Sequence, residues 1–308
     1  MEITQVPNSW ELASLVCKFL FYIGAAASLG SAVSLCLYHD GRRTSVHRLM
    51  LYQLIGGLIG FQAVMINFLV QIGLANNSGL SGAFDWFMAE ILLDTPLGDQ
   101  SFLRLAGFAL VIANSVFFLR RLASLNTSPP LGFYRRAFTA VGIGFILLLL
   151  SFRLGGHVSV LSTNVQLALA VHFSCFAIWI GNLYPLWVAS TAEDPDSLQI
   201  TLRRFGDHAA VFVGMLLIAG LWLALNLVNT PLELIETGYG RALSVKLLLV
   251  LGILGIAAIN KMRLVPALLE GGGVRNFQKS LRLEIVVAAA LLLATAWLST
   301  VVGPAMAH

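Results

Sequence analysis

The sequence predicts an all-α integral membrane protein, a bundle of eight transmembrane helices with both termini on the periplasmic side. Composition, the length of the apolar segments and the distribution of charge all indicate this class. Hydrophobic residues make up 58% of the 308 residues and charged residues only 11%, and the mean hydropathy is +0.84. Soluble domains are roughly 45–50% apolar and about 25% charged. An ordinary soluble enzyme, a disordered chain, a collagen and a coiled coil are therefore excluded.

Eight apolar segments are long enough to cross a bilayer, for which a helix needs about 20 residues. In chain order, the predicted spans are residues 10–38, 46–74, 101–123, 136–154, 164–190, 207–229, 241–265 and 280–303. Residues 1–308 form a single transmembrane domain in this interpretation, without a soluble domain or a sequence repeat.

The N-terminus and the longest loop each give a further prediction. The first residues, MEITQVPNSWE, lack the basic region of a signal peptide, so we expect the first apolar segment to remain in the mature protein. The longest loop, about residues 75–100, contains the apolar and acidic stretch 84–91, which predicts a short helix lying on the membrane surface.

Charge divides the loops into two sets and orients the bundle. Fourteen of the 19 Lys and Arg residues lie in the loops after spans 1, 3, 5 and 7 or at their edges. These loops form what we call the basic face, and the opposite face, which carries most of the acidic loop residues, is the acidic face. Because Lys and Arg collect in cytoplasmic loops, the basic face is predicted to be cytoplasmic. The net charge of +4 therefore indicates membrane orientation, and no nucleic-acid partner is expected.

The fifth span carries the densest set of polar and metal-ligating side chains. His172, Cys175, Trp179 and Asn182 share one helix face at i, i+3, i+7 and i+10. His157 lies in the loop just before this span. Imidazole and thiol groups suit copper or zinc better than magnesium or calcium. The alternative is that His172 only bonds a neighbouring helix and Cys175 only fills the core.

Three further residues are candidate ligands along a path through the membrane. His208 and Met215 lie seven residues apart in span 6, and Met65 lies in span 2. Thioether and imidazole groups both bind copper. Alternatively, Asp207 and His208 only cap the start of span 6.

Ionisable residues inside a membrane are rare because each costs ~2.5–3.5 kcal/mol to insert. Lys18 and Lys246 are expected to pair with Glu11 or to hold an anionic group. Arg104 is expected to extend to the interface. Glu284 is expected to pair with a cation of the basic face, Lys261 or Arg263. The sequence contains no Walker loop, so transport would depend on the membrane potential or on another gradient.

The second half of the chain, about residues 150–303, resembles the CopD (copper-resistance D, PcoD-like) family of bacterial inner-membrane proteins. The similarity rests on short motifs in the order and spacing of the family. They are Gly156-His157, His172, Trp179-Ile180-Gly181, Thr237-Gly238-Tyr239-Gly240-Arg241, Lys246-Leu247-Leu248-Leu249, Asn260-Lys261-Met262-Arg263-Leu264-Val265-Pro266 and Leu283-Glu284. In place of the paired glycines that often follow the tryptophan in the family, this chain has Gly181-Asn182.

The resemblance implies transport of copper from periplasm to cytoplasm in copper resistance or homeostasis, often beside a periplasmic CopC-type copper-binding protein. Copper, as Cu(I) or Cu(II), would be the substrate, and no enzymatic activity is expected. Two alternatives stay open. Histidines on neighbouring helices could ligate haem, with the buried cations holding its propionates, or the chain could only dock a periplasmic metallochaperone.

Overall fold

The computed structural model describes residues 7–38, 40–76, 79–155, 161–227, 230 and 232–302. His157 lies outside the described residues. All regular secondary structure in the described part is helical, without a strand, and eight of its helices are long and apolar enough to cross a membrane. The prediction of an all-α protein with eight candidate spans is therefore confirmed.

The helices of the described residues are numbered α1 to α11 in chain order. They are α1 Ser9–Leu37, α2 Arg43–Asn76, α3 Trp86–Leu93, α4 Pro96–Ala123, α5 Leu131–Ser151, α6 Thr163–Gly181, α7 Leu183–Ala192, α8 Pro195–Leu227, α9 Glu233–Glu236, α10 Gly238–Ile259 and α11 Gly273–Trp297. Short π-helical segments continue α10 over Asn260–Leu264 and α11 over Leu298–Val302, and 3₁₀ turns cover Leu80–Phe84 and Pro266–Leu269. The candidate spans are α1, α2, α4, α5, α6 with α7, α8, α10 and α11.

Helix α1 is the central helix of the bundle and packs against α2, α5, α6 and α11. Its middle consists of small residues that are almost fully buried, including Ala25, Ala26 and Ala27. A Cβ atom built on Gly181 of α6 would lie 1.9 Å from the carbonyl oxygen of Ala26. Helices in a membrane associate closely where small residues let the backbones approach, so these positions bring α6 directly against α1.

The predicted fifth span is divided at Asn182 into α6 and α7. The Asn182 side chain donates from Nδ2 to the Ile178 carbonyl oxygen at 2.7 Å. Pro185, three residues later, has no N–H, and a proline ring inside a helix conflicts with the carbonyl four residues earlier. The regular helix is therefore interrupted at Asn182, within this span.

Helix α8 begins well before the predicted start of span 6 at residue 207. It starts at Pro195, where Asp194 Oδ1 accepts from the Ser197 N–H at 3.0 Å. Asp207 and His208 lie more than three turns inside α8, so the interpretation that they cap the start of the helix is wrong. The two residues are placed in the bundle by tertiary contacts instead.

The stretch 84–91 was predicted to contain a short helix, which is confirmed as α3. Asp85 caps this helix by accepting from the Met88 N–H at 3.1 Å, and Trp86 and Phe87 are exposed. At the same end of the bundle, Lys18 in the first half of α1 contacts Ser299 after α11. The first and last described helices therefore have their chain ends at the same end of the bundle.

Candidate metal-handling site

His172 of α6 is held by a carbonyl of α8. Its Nδ1 lies 2.9 Å from the Leu216 carbonyl oxygen, and since a carbonyl only accepts, Nδ1 carries the hydrogen. The ring rests against Gly220, where a Cβ atom would lie 2.9 Å from the imidazole Cε1. The bond to a neighbouring helix is thus present, and it leaves Nε2 with a free lone pair. Metal-ligating histidines are commonly fixed in this tautomer by such a second bond.

Cys175 lies one turn further along α6 and is 4% exposed. Its thiol is free, and the residue belongs to the main core cluster together with Phe173 and Ala177. A buried free cysteine behaves as a small apolar residue until a soft metal reaches it. The position is compatible with a ligand below His172 and equally with core packing.

Three cations inside the bundle, Lys18, Arg104 and Lys246, lie in its acidic half, and the contacts of the first two differ from those predicted. Lys18 Nζ donates to the Ser299 carbonyl oxygen at 2.9 Å, whereas Glu11 accepts from the Asn8 N–H in a capping box at the start of α1. The predicted pairing of Lys18 with Glu11 is therefore wrong.

Arg104 points into the bundle. Its Nε donates to Ser151 Oγ at 3.0 Å, and its guanidinium lies 4.7 Å from the centre of the Phe21 ring and 5.4 Å from that of Phe152. The expectation that Arg104 extends to the interface is wrong because these aromatic rings and the serine hydroxyl give it a site inside the bundle.

Lys246 of α10 is the charged side chain that acts on His172. Its ammonium lies close enough to act electrostatically on the imidazole, and no hydrogen bond to it is found within the described ranges. Both ion pairs of the described residues, Arg42–Asp40 and Lys261–Asp207, lie at the basic face. The cations around His172 therefore have no carboxylate partner in the part of the chain that the structure describes.

His208 occupies the basic half, apart from His172. Its Nδ1 lies 2.8 Å from the Tyr38 hydroxyl. His208 precedes Leu216 by eight residues in α8, which separates it from the level of His172 by ~12 Å at 1.5 Å per residue. The structure thus brings no second histidine to His172 within its described residues.

The two methionines predicted as ligands lie on the outside of the bundle. Met65 is 49% exposed and Met215 is 43% exposed. No group of three or more His, Cys, Asp and Glu side chains is close enough to hold a metal ion in the described part. The candidate ligands are therefore spread along the bundle, and the structure does not gather them into one centre.

A cavity of about 250 Å³ lies in the basic half, between α6, α8, α10 and α11. Its polar lining includes Trp179, Asn260, Lys261 and Glu284. Glu284 Oε2 accepts from Asn260 Nδ2 at 2.8 Å. Lys261 instead donates to Asp207 at 2.9 Å, so the predicted pairing of Glu284 with Lys261 or Arg263 is wrong.

The sequence interpretation did not single out Asn260 or Tyr38 as partners of these groups. Asn260 could have been recognised from the sequence, because it is a polar residue at the end of a long apolar run, six residues before Pro266. Tyr38 offers no such signal, since a tyrosine at the end of a span is ordinary.

Fold and site together define a multi-pass membrane protein with imidazole groups inside the bundle. Residues 199–298 match the family described as Copper resistance protein D. The Copper transport protein CutJ of Bacillus subtilis (strain 168) is 27% identical over 213 residues, which cover 65% of this chain and 38% of that protein. The matched part therefore spans less than half the length of this relative. No solved structure gives a significant match to the chain.

These matches confirm the resemblance that the motifs indicate, namely that the second half of the chain is similar to CopD, and they support a copper-related function in a membrane. They point to copper transport or resistance and do not favour the haem alternative.

Proposed function

We propose that this protein carries copper across the bacterial inner membrane, from the periplasm to the cytoplasm. The observation that supports this best is the geometry of His172. Its Nδ1 is occupied by the Leu216 carbonyl, so that Nε2 is left as an acceptor within the span. The imidazole is thereby oriented, with Nε2 as the ring atom that can bind a metal ion.

In this proposal the ligands act one after another. His157 and His172 bind copper near the acidic face, Cys175 follows one turn along α6, and His208 lies in the basic half. Conduction requires sites that bind strongly enough to admit an ion and weakly enough to release it. A spread set of ligands satisfies this requirement better than a closed centre, and a periplasmic CopC-type protein would deliver the ion at the acidic face.

The charge of Lys246 fits a site of moderate affinity. Two positive charges repel each other strongly where the dielectric constant is low, so Lys246 weakens copper binding at His172. The repulsion favours onward movement of the ion over its retention. A tight copper store would instead place carboxylates around the histidine.

The test is copper uptake by the purified full chain in liposomes that contain a copper-sensitive dye. His172→Asn can place an amide N–H where the imidazole Nδ1–H donates to the Leu216 carbonyl but lacks Nε2, and we expect it to reduce the initial copper flux at least about tenfold, the loss of ~1.4 kcal/mol of ion stabilisation. His47→Ala is the matched control, because His47 is exposed on α2 at the basic face.

Equal flux in wild type and His172→Asn would remove His172 from the mechanism. A wild-type protein that moves no copper without a partner protein would overturn transport by this chain alone and favour the docking alternative.

A further inference from the structure

Glu284 is a buried carboxyl group inside a largely apolar cavity. It is 4% exposed and lies on α11, facing the cavity of about 250 Å³ in the basic half of the bundle. Most of the lining is apolar, with residues such as Leu186, Val213 and Leu281. A carboxylate at such a place is unfavourable unless a partner compensates its charge.

No cation provides that compensation among the described residues. Lys261 also lines the cavity, but its ammonium is bonded to Asp207 Oδ1 and to the Gly206 carbonyl oxygen, both at 2.9 Å. Arg282, on the same helix as Glu284, lies over the Trp187 ring at 4.7 Å.

The other Lys, Arg and His residues of the elements around α11 are engaged elsewhere or exposed. They are Lys18 of α1 at Ser299, His208 of α8 at Tyr38, Lys246 of α10 near His172, and the exposed Arg203, Arg204, Arg241, Arg263, Arg275 and Lys279.

One buried acceptor beside the carboxyl group has no hydrogen-bond donor. Asn260 Nδ2 donates to Glu284 Oε2 at 2.8 Å, whereas Asn260 Oδ1 is buried and has no hydrogen-bond partner within the described residues. A buried acceptor without a donor is unfavourable. A carboxylic acid at Glu284 has an O–H group that a carboxylate lacks, and this group is the donor that the amide oxygen needs.

The backbone at Asn260 is also unusual. The Val265 N–H bonds to the Asn260 carbonyl oxygen at 2.9 Å, an i to i−5 bond that makes the π-helical segment after α10. Such segments occur often at functional sites because they widen the helix and redirect a side chain. Here the segment begins at the residue that bonds Glu284, and its next residue, Lys261, is exposed where the cavity reaches the surface.

We propose that Glu284 and Asn260 form a proton-binding site that opens toward the basic face and that couples proton movement to the transport of copper. A hydronium ion entering beside Lys261 transfers its proton to a carboxylate oxygen of Glu284, which leaves a water molecule and a neutral carboxylic acid. The reverse transfer releases the proton by the same path. The proton site is argued from the cavity and from the contacts of Glu284 and Asn260, whereas the coupling rests on the proposed function.

The proton site is tested by infrared spectroscopy of the full chain in lipid nanodiscs during a pH titration. We expect wild type to show the C=O band of a protonated carboxylic acid that disappears on deprotonation, and Glu284→Gln to lack this band. Glu270→Gln is the matched control because Glu270 is exposed just before α11, and it should retain the band. If Glu284→Gln does not fold, Glu284→Asp should shift the band. A wild type without such a band, or a band unchanged in the Glu284 variants, would overturn the proton site.

The coupling is tested in liposomes with a copper-sensitive dye and a pH-sensitive dye inside. A pH difference of one unit should change the copper accumulation ratio of wild type about tenfold per coupled proton and leave that of Glu284→Gln unchanged. Copper movement that ignores the pH gradient in wild type would overturn the coupling and leave the proposed function intact. A wild type that moves no copper would instead contradict the proposed function, and the infrared result would still decide the proton site.

Discussion

The imidazole of His172 lies between α6 and α8, with Lys246 of α10 close by. Sequence reasoning singled out His172 because a histidine inside a span is rare. It could not identify the Leu216 carbonyl as the partner of Nδ1, since that contact joins residues 44 positions apart and depends on how two helices are rotated against each other. This one bond is compatible both with a purely structural histidine and with a histidine that binds copper through Nε2.

Replacement of Lys246 provides a prediction at the residue scale. Lys246→Met removes a positive charge while it preserves an apolar stem, and we expect copper to bind about tenfold more tightly, which corresponds to ~1.4 kcal/mol of repulsion. The measurement is competition for copper with a chelator, using the purified full chain. Lys279→Met serves as the control because Lys279 is exposed at the basic face. Weaker binding in Lys246→Met would show that the lysine supports the site.

Glu284 is the residue at which the predicted partner was wrong. The sequence places several cations in the loop before α11, and a buried acid beside a cationic loop is expected to pair with one of them. In the structure Lys261, the cation that lines the same cavity, bonds Asp207 instead. The π-helical turn positions the amide of Asn260 at the carboxyl, and no propensity of single residues indicates such a turn.

At the scale of helices, the number of spans could be predicted and some boundaries could not. Bilayer thickness determines how many apolar residues a span needs, which is why eight segments were found. Helix α8 extends beyond its apolar part to Pro195. This extension includes Arg203 and Arg204, so its sequence does not predict a membrane span. The break at Asn182 had a sequence signal in Pro185, but the apolar run on both sides predicted one continuous helix.

The contact between α1 and α6 gives a prediction at the same scale. A Cβ atom on Gly30 would lie 2.2 Å from the main-chain carbon of Gly181, so Gly30→Ala must force the two helices apart. Overpacking of this kind costs about 1–3 kcal/mol. In Gly142→Ala the new Cβ meets nothing within 4 Å, and helix propensity alone should stabilise it by up to ~1 kcal/mol.

Thermal unfolding of both variants in detergent, followed by tryptophan fluorescence, measures the difference. We expect Gly30→Ala to unfold at a lower temperature than wild type and Gly142→Ala at the same or a higher temperature. If Gly30→Ala is as stable as Gly142→Ala, the close approach of α1 and α6 is not required for the fold.

For the molecule as a whole, the separation of charge leads to a prediction about orientation. If the basic face is cytoplasmic, Leu80→Cys at the acidic face should react in intact spheroplasts with a maleimide that cannot cross the membrane. Both Leu80 and Asn126, in the loop between α4 and α5, are exposed. Asn126→Cys should react only after the membrane is opened. Cys17, Cys36 and Cys175 are replaced by Ser beforehand, and the reverse labelling pattern would contradict the predicted orientation.

The sequence by itself determined that the chain is helical, that it has eight candidate spans and that its cations collect at one face. These properties follow from the bilayer, which requires internally satisfied backbones and apolar segments of fixed length. The tertiary structure decided which side chains meet: His172 with the Leu216 carbonyl, Arg104 with Ser151, and Glu284 with Asn260. The physical reason is that apolar segments allow many rotations of each helix about its axis. Only the packing of small residues such as Gly30 against Gly181 selects one of them.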